Sequence, residues 1–107
     1  MSALISVNEK TTTWITINFK DKAGAPASPD SMVYQIDCLT SGVAIKAPVT
    51  VTFPGTSPEV KVDSIDNAIQ VPTNQREYRR MTVTAIFGGD VVTDQFDWAI
   101  NNLSFIT

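Results

Sequence analysis

Along most of this chain, short runs of alternating apolar and polar residues are separated by residues that favour turns. In the run at 13–20, Ile15, Ile17 and Phe19 lie on one side, while Trp14 falls with the polar residues on the other. A period of two places successive side chains on opposite faces of a strand, so each run predicts a β-strand with one buried face. The predicted strands lie at residues 4–7, 13–20, 32–39, 43–46, 49–53, 60–62, 81–87 and 92–100.

The last two runs form the most clearly predicted pair. Gly88 and Gly89 separate them, and because a tight turn needs positive φ angles, they predict a β-hairpin. Residues 64–80 show no period of two. A single helical turn fits at 66–69, but Pro72 and Asn74 stop anything longer, so this stretch is interpreted as a crossover between two sheets.

The pattern predicts an all-β protein, an immunoglobulin-like β-sandwich of about seven antiparallel strands forming a single domain over residues 1–107. A small closed barrel is the alternative, and the long connection before the final hairpin favours the sandwich. Composition agrees, because 11 Val, 10 Ile and 13 Thr stand against 3 Leu, and β-branched side chains pack well on sheets.

Charge and residue types exclude several classes of function. The net charge is −3, which gives no basic field for nucleic acid or an acidic membrane, and neither is expected as a partner. No His is present and Cys38 is the one cysteine, so the commonest general base, the commonest metal ligand and a disulfide within the chain are all missing. Neither a signal-peptide core nor a transmembrane run is found, which predicts synthesis in the cytoplasm.

Carboxylates are the remaining candidates for chemistry. Asp90, Asp94 and Asp97 surround the last hairpin, but they lack the dense spacing of a calcium loop and are interpreted as solvated charges. Two acids could hydrolyse a glycoside without His, although a filled core this small leaves little room for a cleft. We therefore predict no enzyme activity, no catalytic or metal-binding residue and no cofactor; Cys38 is expected to be a buried apolar residue.

Contact residues are predicted at three places. Trp14 is out of phase with the core positions, so it either anchors an interface or is covered by a loop or a neighbouring chain. Arg79 and Arg80 belong to a short basic cluster that we expect to pair with Glu77 or with acids of another protein. The apolar ends are expected to add as strands to a neighbouring sheet edge; their candidate residues are Leu4, Ile5, Phe105 and Ile106.

A series of segments across residues 14–103 resembles a known class of protein. The segments are, in order, Phe19-Lys20-Asp21, Gly24-Ala25-Pro26, Pro29-x-Ser31-x-x-Tyr34-x-Ile36, Asp66-Asn67-Ala68-Ile69, Met81-Thr82-Val83-Thr84-Ala85, the Gly-Gly hairpin and Asn102-Leu103. The series is similar to small fibronectin-III or immunoglobulin-like virion proteins of tailed bacteriophages and prophages, although the cysteine pair of antibody domains is missing.

The resemblance implies a non-enzymatic structural protein located in the virion, which decorates or cements the capsid or forms an accessory part of the tail. Its partners would be phage capsid or tail proteins, and it could form a homo-oligomer. The alternative is a carbohydrate-binding or host-adhesion module that stacks sugars on an exposed aromatic ring such as Trp14.

Overall fold

A computed structural model describes residues 5–105 of the chain, with the side chains of Ile5 and Phe105 left out. Short 3₁₀ turns lie at Ser64–Asn67 and Leu103–Phe105, and this part of the chain contains no α-helix. The predicted all-β class is confirmed. The strands are β1 (Ile5–Asn8), β2 (Thr13–Thr16), β3 (Ser31–Cys38), β4 (Ala44–Thr52), β5 (Glu59–Val62), β6 (Arg76–Phe87) and β7 (Asp90–Asn101).

The strands form two sheets. The larger sheet has the order β1-β7-β6-β3-β4, and its pairs are antiparallel except that β1 runs parallel to β7. The smaller sheet pairs β2 with β5 in antiparallel register. Its ladder continues past β2, since the N–H groups of Ile17 and Phe19 donate to Pro58 O and Thr56 O, both at 2.9 Å. The chain crosses from β5 to β6 through residues 63–75, a shorter connection than the predicted crossover over residues 64–80.

One hydrophobic core lies between the sheets and takes side chains from both. The smaller sheet and its extension contribute Ile15, Ile17, Phe19, Val60 and Val62, and the larger sheet contributes Met32, Ile36, Met81, Val83, Ala85, Trp98 and Ile100. Phe19 and Phe87 meet edge to face, with ring centroids 5.9 Å apart. The two-layer arrangement follows from the alternation, because the strands that supply these residues turn one apolar side toward the opposite sheet.

Several strands differ from their predicted limits, including β2, which ends at Thr16 instead of residue 20. In β4 and β6 the difference has a physical reason. The runs at 43–46 and 49–53 are one strand, β4, which continues through Pro48; an edge strand tolerates proline because one side of its ladder is unpaired. β6 begins at Arg76 instead of residue 81, because its first inward positions hold Glu77 and Arg79, which break the apolar alternation. In residues 5–105, no helix is long and apolar enough to cross a membrane.

Candidate functional site

Two regions of the described chain hold the groups that could carry function, and they lie at opposite ends of the molecule. The first, here called the polar cluster, is buried between the sheets where β6 begins; it comprises Asn67, Glu77, Arg79 and Asn102. The second is an open groove beside the turn that joins β6 to β7. The chemistry of each region follows from the partners of its side chains.

Glu77 is the anion of the polar cluster, and four donors surround its carboxylate. The backbone N–H groups of Gln70 and Val71 donate to its two oxygens at 2.9 Å, and Asn74 Nδ2 donates at 3.0 Å. Arg79 NH1 donates to Oε1 at 3.1 Å. Burial raises the pKa of Glu77, but these hydrogen bonds outweigh it and hold the pKa below the usual 4.5. The carboxylate is therefore ionised and fastens the 63–75 connection to β6.

Arg79 is the cation of the cluster and is completely buried, with 0% of its surface exposed. Besides its bond to Glu77, its guanidinium donates to Ala68 O at 2.6 Å and to Cys38 Sγ at 3.0 Å, and its Nε donates to Asp66 O at 3.3 Å. The predicted pairing with Glu77 is found. The interface role predicted for Arg79 does not agree with this geometry, because the side chain is buried and all three guanidinium nitrogens are hydrogen-bonded inside the fold.

The two asparagines complete the cluster. Asn67 accepts the indole N–H of Trp98 at 2.9 Å and donates to Thr11 O at 2.7 Å, so it joins the β1–β2 connection to β7. Asn102 donates to the carbonyls of Pro72 and Asn74 at 3.1 and 2.9 Å. No buried side-chain nitrogen or oxygen in the described residues lacks a hydrogen-bond partner. The polar cluster is thus a structural network that closes one end of the fold.

Arg80 points away from the cluster, onto the outer face of the larger sheet. Its Nε and NH2 donate to the two carboxylate oxygens of Asp97 at 2.8 and 2.9 Å. The hydrogen bond and the positive charge of Arg80 lower the pKa of Asp97, and the pairing raises the pKa of Arg80. Within residues 5–105 no three carboxylate or thiol groups converge as a metal site. The acids around the last hairpin therefore form an ion pair and separate exposed charges.

The open groove lies between the β2–β3 connection and the start of β7. Its volume is about 690 Å³, and its lining includes Lys20, Lys22, Phe87, Val91 and Val92. A smaller recess of about 80 Å³ adjoins it, reaching core side chains such as Phe19. Val91 and Val92 are 63% and 48% exposed. Exposed apolar side chains beside a recess are typical of a contact surface.

Two of the unpaired strand edges belong to β2 and to the first half of β7. The main-chain N–H and C=O groups of the odd-numbered residues of β2 face β5. The N–H and C=O groups of Trp14 and Thr16 therefore face the other edge of β2, which has no partner strand among the described residues. β7 pairs with β1 only from Trp98 onward. Among residues 5–105, no strand therefore pairs with the outer edge of β7 between 90 and 97.

The remaining contact candidates fall in different places. Trp14 is exposed, as its phase predicts, with 56% of its surface accessible. Ile5 pairs with Trp98 through the β1 backbone and Phe105 ends a 3₁₀ turn, while their side chains lie outside the described residues, as do Leu4 and Ile106 entirely. The interface roles of these residues stay predictions.

Sequence reasoning missed three features of these regions. Glu77 and Asn67 are buried and belong to the polar cluster. The only feature of the sequence that could have indicated them is that both lie in the stretch at 64–80, which has no period of two. Phe53 is 82% exposed and has a φ of +50°, a conformation that is rare for a bulky residue. A local alternation pattern carries no information on such a backbone angle.

Comparisons with known proteins add no relative to this picture: no family model, no curated protein and no solved structure matches the chain. The argument about function therefore depends on the residues and geometry described above.

Proposed function

We propose that this chain is a non-enzymatic structural protein of a bacteriophage particle, an immunoglobulin-like domain that decorates or cements the capsid or forms an accessory part of the tail. It acts through protein–protein contacts made by its exposed apolar residues. The phage assignment is supported by the sequence resemblance over residues 14–103, and the contact role by the geometry.

The strand order supports the immunoglobulin-like part of the proposal. In immunoglobulin domains, strands G, F, C and C′ are neighbours in one sheet, and strands B and E belong to the other. The order β7-β6-β3-β4 reproduces the first set in sequence, and the pair β2–β5 reproduces the second. Immunoglobulin domains carry bridging cysteines on strands B and F, whereas β2 and β6 carry apolar core residues such as Ile15 and Met81.

The observation that carries the contact role is that apolar side chains are exposed along two unpaired strand edges, outside the hydrogen-bonded polar cluster. Both buried charged side chains in the described residues, Glu77 and Arg79, belong to the hydrogen-bonded polar cluster. The large apolar side chains Trp14, Val91 and Val92 are by contrast exposed around the unpaired edges. Weak contacts of this kind become strong in combination when many copies bind a symmetric lattice.

The alternative of a glycan-binding module is less favoured by the geometry. Sugar binding uses aromatic rings stacked on a surface, and Trp14 is the single aromatic residue of β2 and β5. A titration of polysaccharides followed by calorimetry separates the two functions, since saturable heat that is lost in Trp14→Ala would support the alternative.

Co-sedimentation with virions of the phage that encodes the chain tests the proposal. We expect the wild-type chain to pellet with the particles and Trp14→Ala to pellet at least about fivefold less, as expected for an interface anchor. Ile65→Ala is the matched control, because Ile65 is 77% exposed but lies in the 63–75 connection and on neither β2 nor β7. Absence of the wild-type chain from the pellet would contradict the proposal.

A further inference from the structure

The strand edges of the two sheets differ in their protection against pairing with another chain. β4 carries Pro48 and Lys46 and has register shifts against β3, and β5 carries Glu59 and Lys61 at its outer positions. Prolines, lysines and irregular register are devices that prevent edge pairing. At these two edges, then, the chain discourages the addition of another strand.

The first half of β7 lacks such protection on its outer edge. The N–H of Asn102 donates to Gln75 O, and the N–H of Glu9 donates to Asn101 O, so even-numbered residues face β6 and odd-numbered ones face outward. Val91 and Thr93 therefore present main-chain N–H and C=O groups to the open side. The N–H of the next outward residue, Gln95, is capped by Asp94 Oδ1 at 2.8 Å. The available edge is centred on residues 91–93.

We propose that this edge of β7, at residues 91–93, receives an extended strand of a different polypeptide, with apolar residues at alternate positions and a basic residue at each end. The addition deepens the proposed function, because it names the surface through which contact with a partner is made. β1 already pairs with the same edge from Trp98 onward, so the added strand would continue an existing ladder.

The groove supplies the side-chain pockets for such a strand. Alternate residues of the added strand would point into the space beside Phe87 and Val92, whose apolar atoms are open to solvent. Main-chain hydrogen bonds give affinity in strand addition, and pockets for alternate side chains give specificity. The groove therefore selects apolar residues at every second position.

Charge distinguishes a foreign strand from a second copy of β7. Asp90 and Asp94 are both exposed and bracket the edge, so a strand with Lys or Arg at its ends complements them. If two copies of β7 paired so that Val91 of one met Thr93 of the other, Asp90 would lie opposite Asp94. Like charges directly opposite each other destabilise antiparallel pairs.

A labelled peptide, Lys-Thr-Val-Thr-Val-Thr-Lys, tests the proposal by fluorescence anisotropy with the full chain. We expect saturable binding that weakens about tenfold in Thr93→Pro, because proline removes an outward N–H and also obstructs the edge. Thr93→Ala keeps the N–H and should bind within about twofold of wild type. Thr16→Pro makes the matched change on the free edge of β2 and should also leave binding unchanged. Circular dichroism of the β-sheets verifies folding of each variant.

Several results would overturn the proposal: no saturable binding, equal loss in Thr16→Pro, or equal affinity for the same peptide with Glu at both ends. A concentration-dependent dimer that Thr93→Pro abolishes would assign the edge to a second copy. Slow amide exchange at Val91 and Thr93 in the free chain would show that a segment of the chain itself already pairs with this edge of β7. Because the peptide test uses no virion, strand addition and the phage assignment can fail separately.

Discussion

Replacement of Glu77 by glutamine removes the charge from the polar cluster while nearly preserving the volume of the side chain. The carboxylate accepts four hydrogen bonds, and its charge balances that of fully buried Arg79. Removing one member of a buried ion pair costs about 3–5 kcal/mol, since the remaining charge is left without a partner. Glutamine keeps one acceptor oxygen, so we expect Glu77→Gln to lower the free energy of unfolding by about 3 kcal/mol.

Urea denaturation monitored by tryptophan fluorescence measures this loss, because the indole of Trp98 is buried in the folded chain and becomes exposed on unfolding. Glu59→Gln is the matched control. Glu59 lies on β5 and is exposed, so its free energy of unfolding should change by less than about 0.5 kcal/mol. A Glu77→Gln variant as stable as the Glu59→Gln variant would refute the structural role of the carboxylate.

The pH dependence provides a second measurement on the same variant. Because the pKa of Glu77 is lower in the folded state than its usual 4.5, the ionised carboxylate stabilises the fold fully above that value. This stabilisation disappears as the pH falls from 4.5 through the lower folded-state pKa. The stability difference between wild type and Glu77→Gln should therefore shrink on acidification. A difference that stays constant across the acid range would contradict the pKa assignment.

Three further changes have defined outcomes. Asn67→Ala should lower the free energy of unfolding, measured by urea denaturation, by about 2–3 kcal/mol, because the buried indole N–H of Trp98 loses its acceptor. The NMR signal of that N–H should shift, and an unshifted signal would contradict the assignment. Asp97→Asn breaks the partly exposed ion pair with Arg80, so it should destabilise the fold less than Glu77→Gln does, and this destabilisation should vanish in high salt. A loss of stability that does not depend on salt would contradict the ion pair. Gly88→Ala should lower the free energy of unfolding, measured by thermal denaturation, by about 1 kcal/mol, because Gly88 has a φ of +60°. Gly89→Ala should have little effect, and equal losses in the two variants would contradict this account of the turn.

The sequence predicts the strands whose inward positions are all apolar. Ile15, Ile17 and Phe19 mark the run through β2, and Trp98 and Ile100 mark the second half of β7. Period-two reasoning succeeds in these strands because burial follows side-chain polarity. The same reasoning predicts that Trp14 is exposed, and the structure agrees.

The polar cluster could not be predicted, because its partners are supplied by distant or main-chain groups. Glu77 is bonded by backbone N–H groups of a connection that has no periodic pattern, and Asn67 bonds Thr11, which is 56 positions away. A charged residue on an inward position appears in the sequence as an interruption of the strand. For this reason the start of β6 was missed together with the cluster that it carries.

The central claim about function is that the polar cluster is structural while the edges of β2 and β7 make contacts, and hydrogen exchange with mass spectrometry on the particle-bound chain tests it most directly. Exchange is compared between the free chain and the chain co-sedimented with virions. We predict slower exchange on binding at residues 14–18 and 91–97, and unchanged exchange at residues 63–77. Protection confined to residues 63–77, or no change anywhere, would contradict the claim.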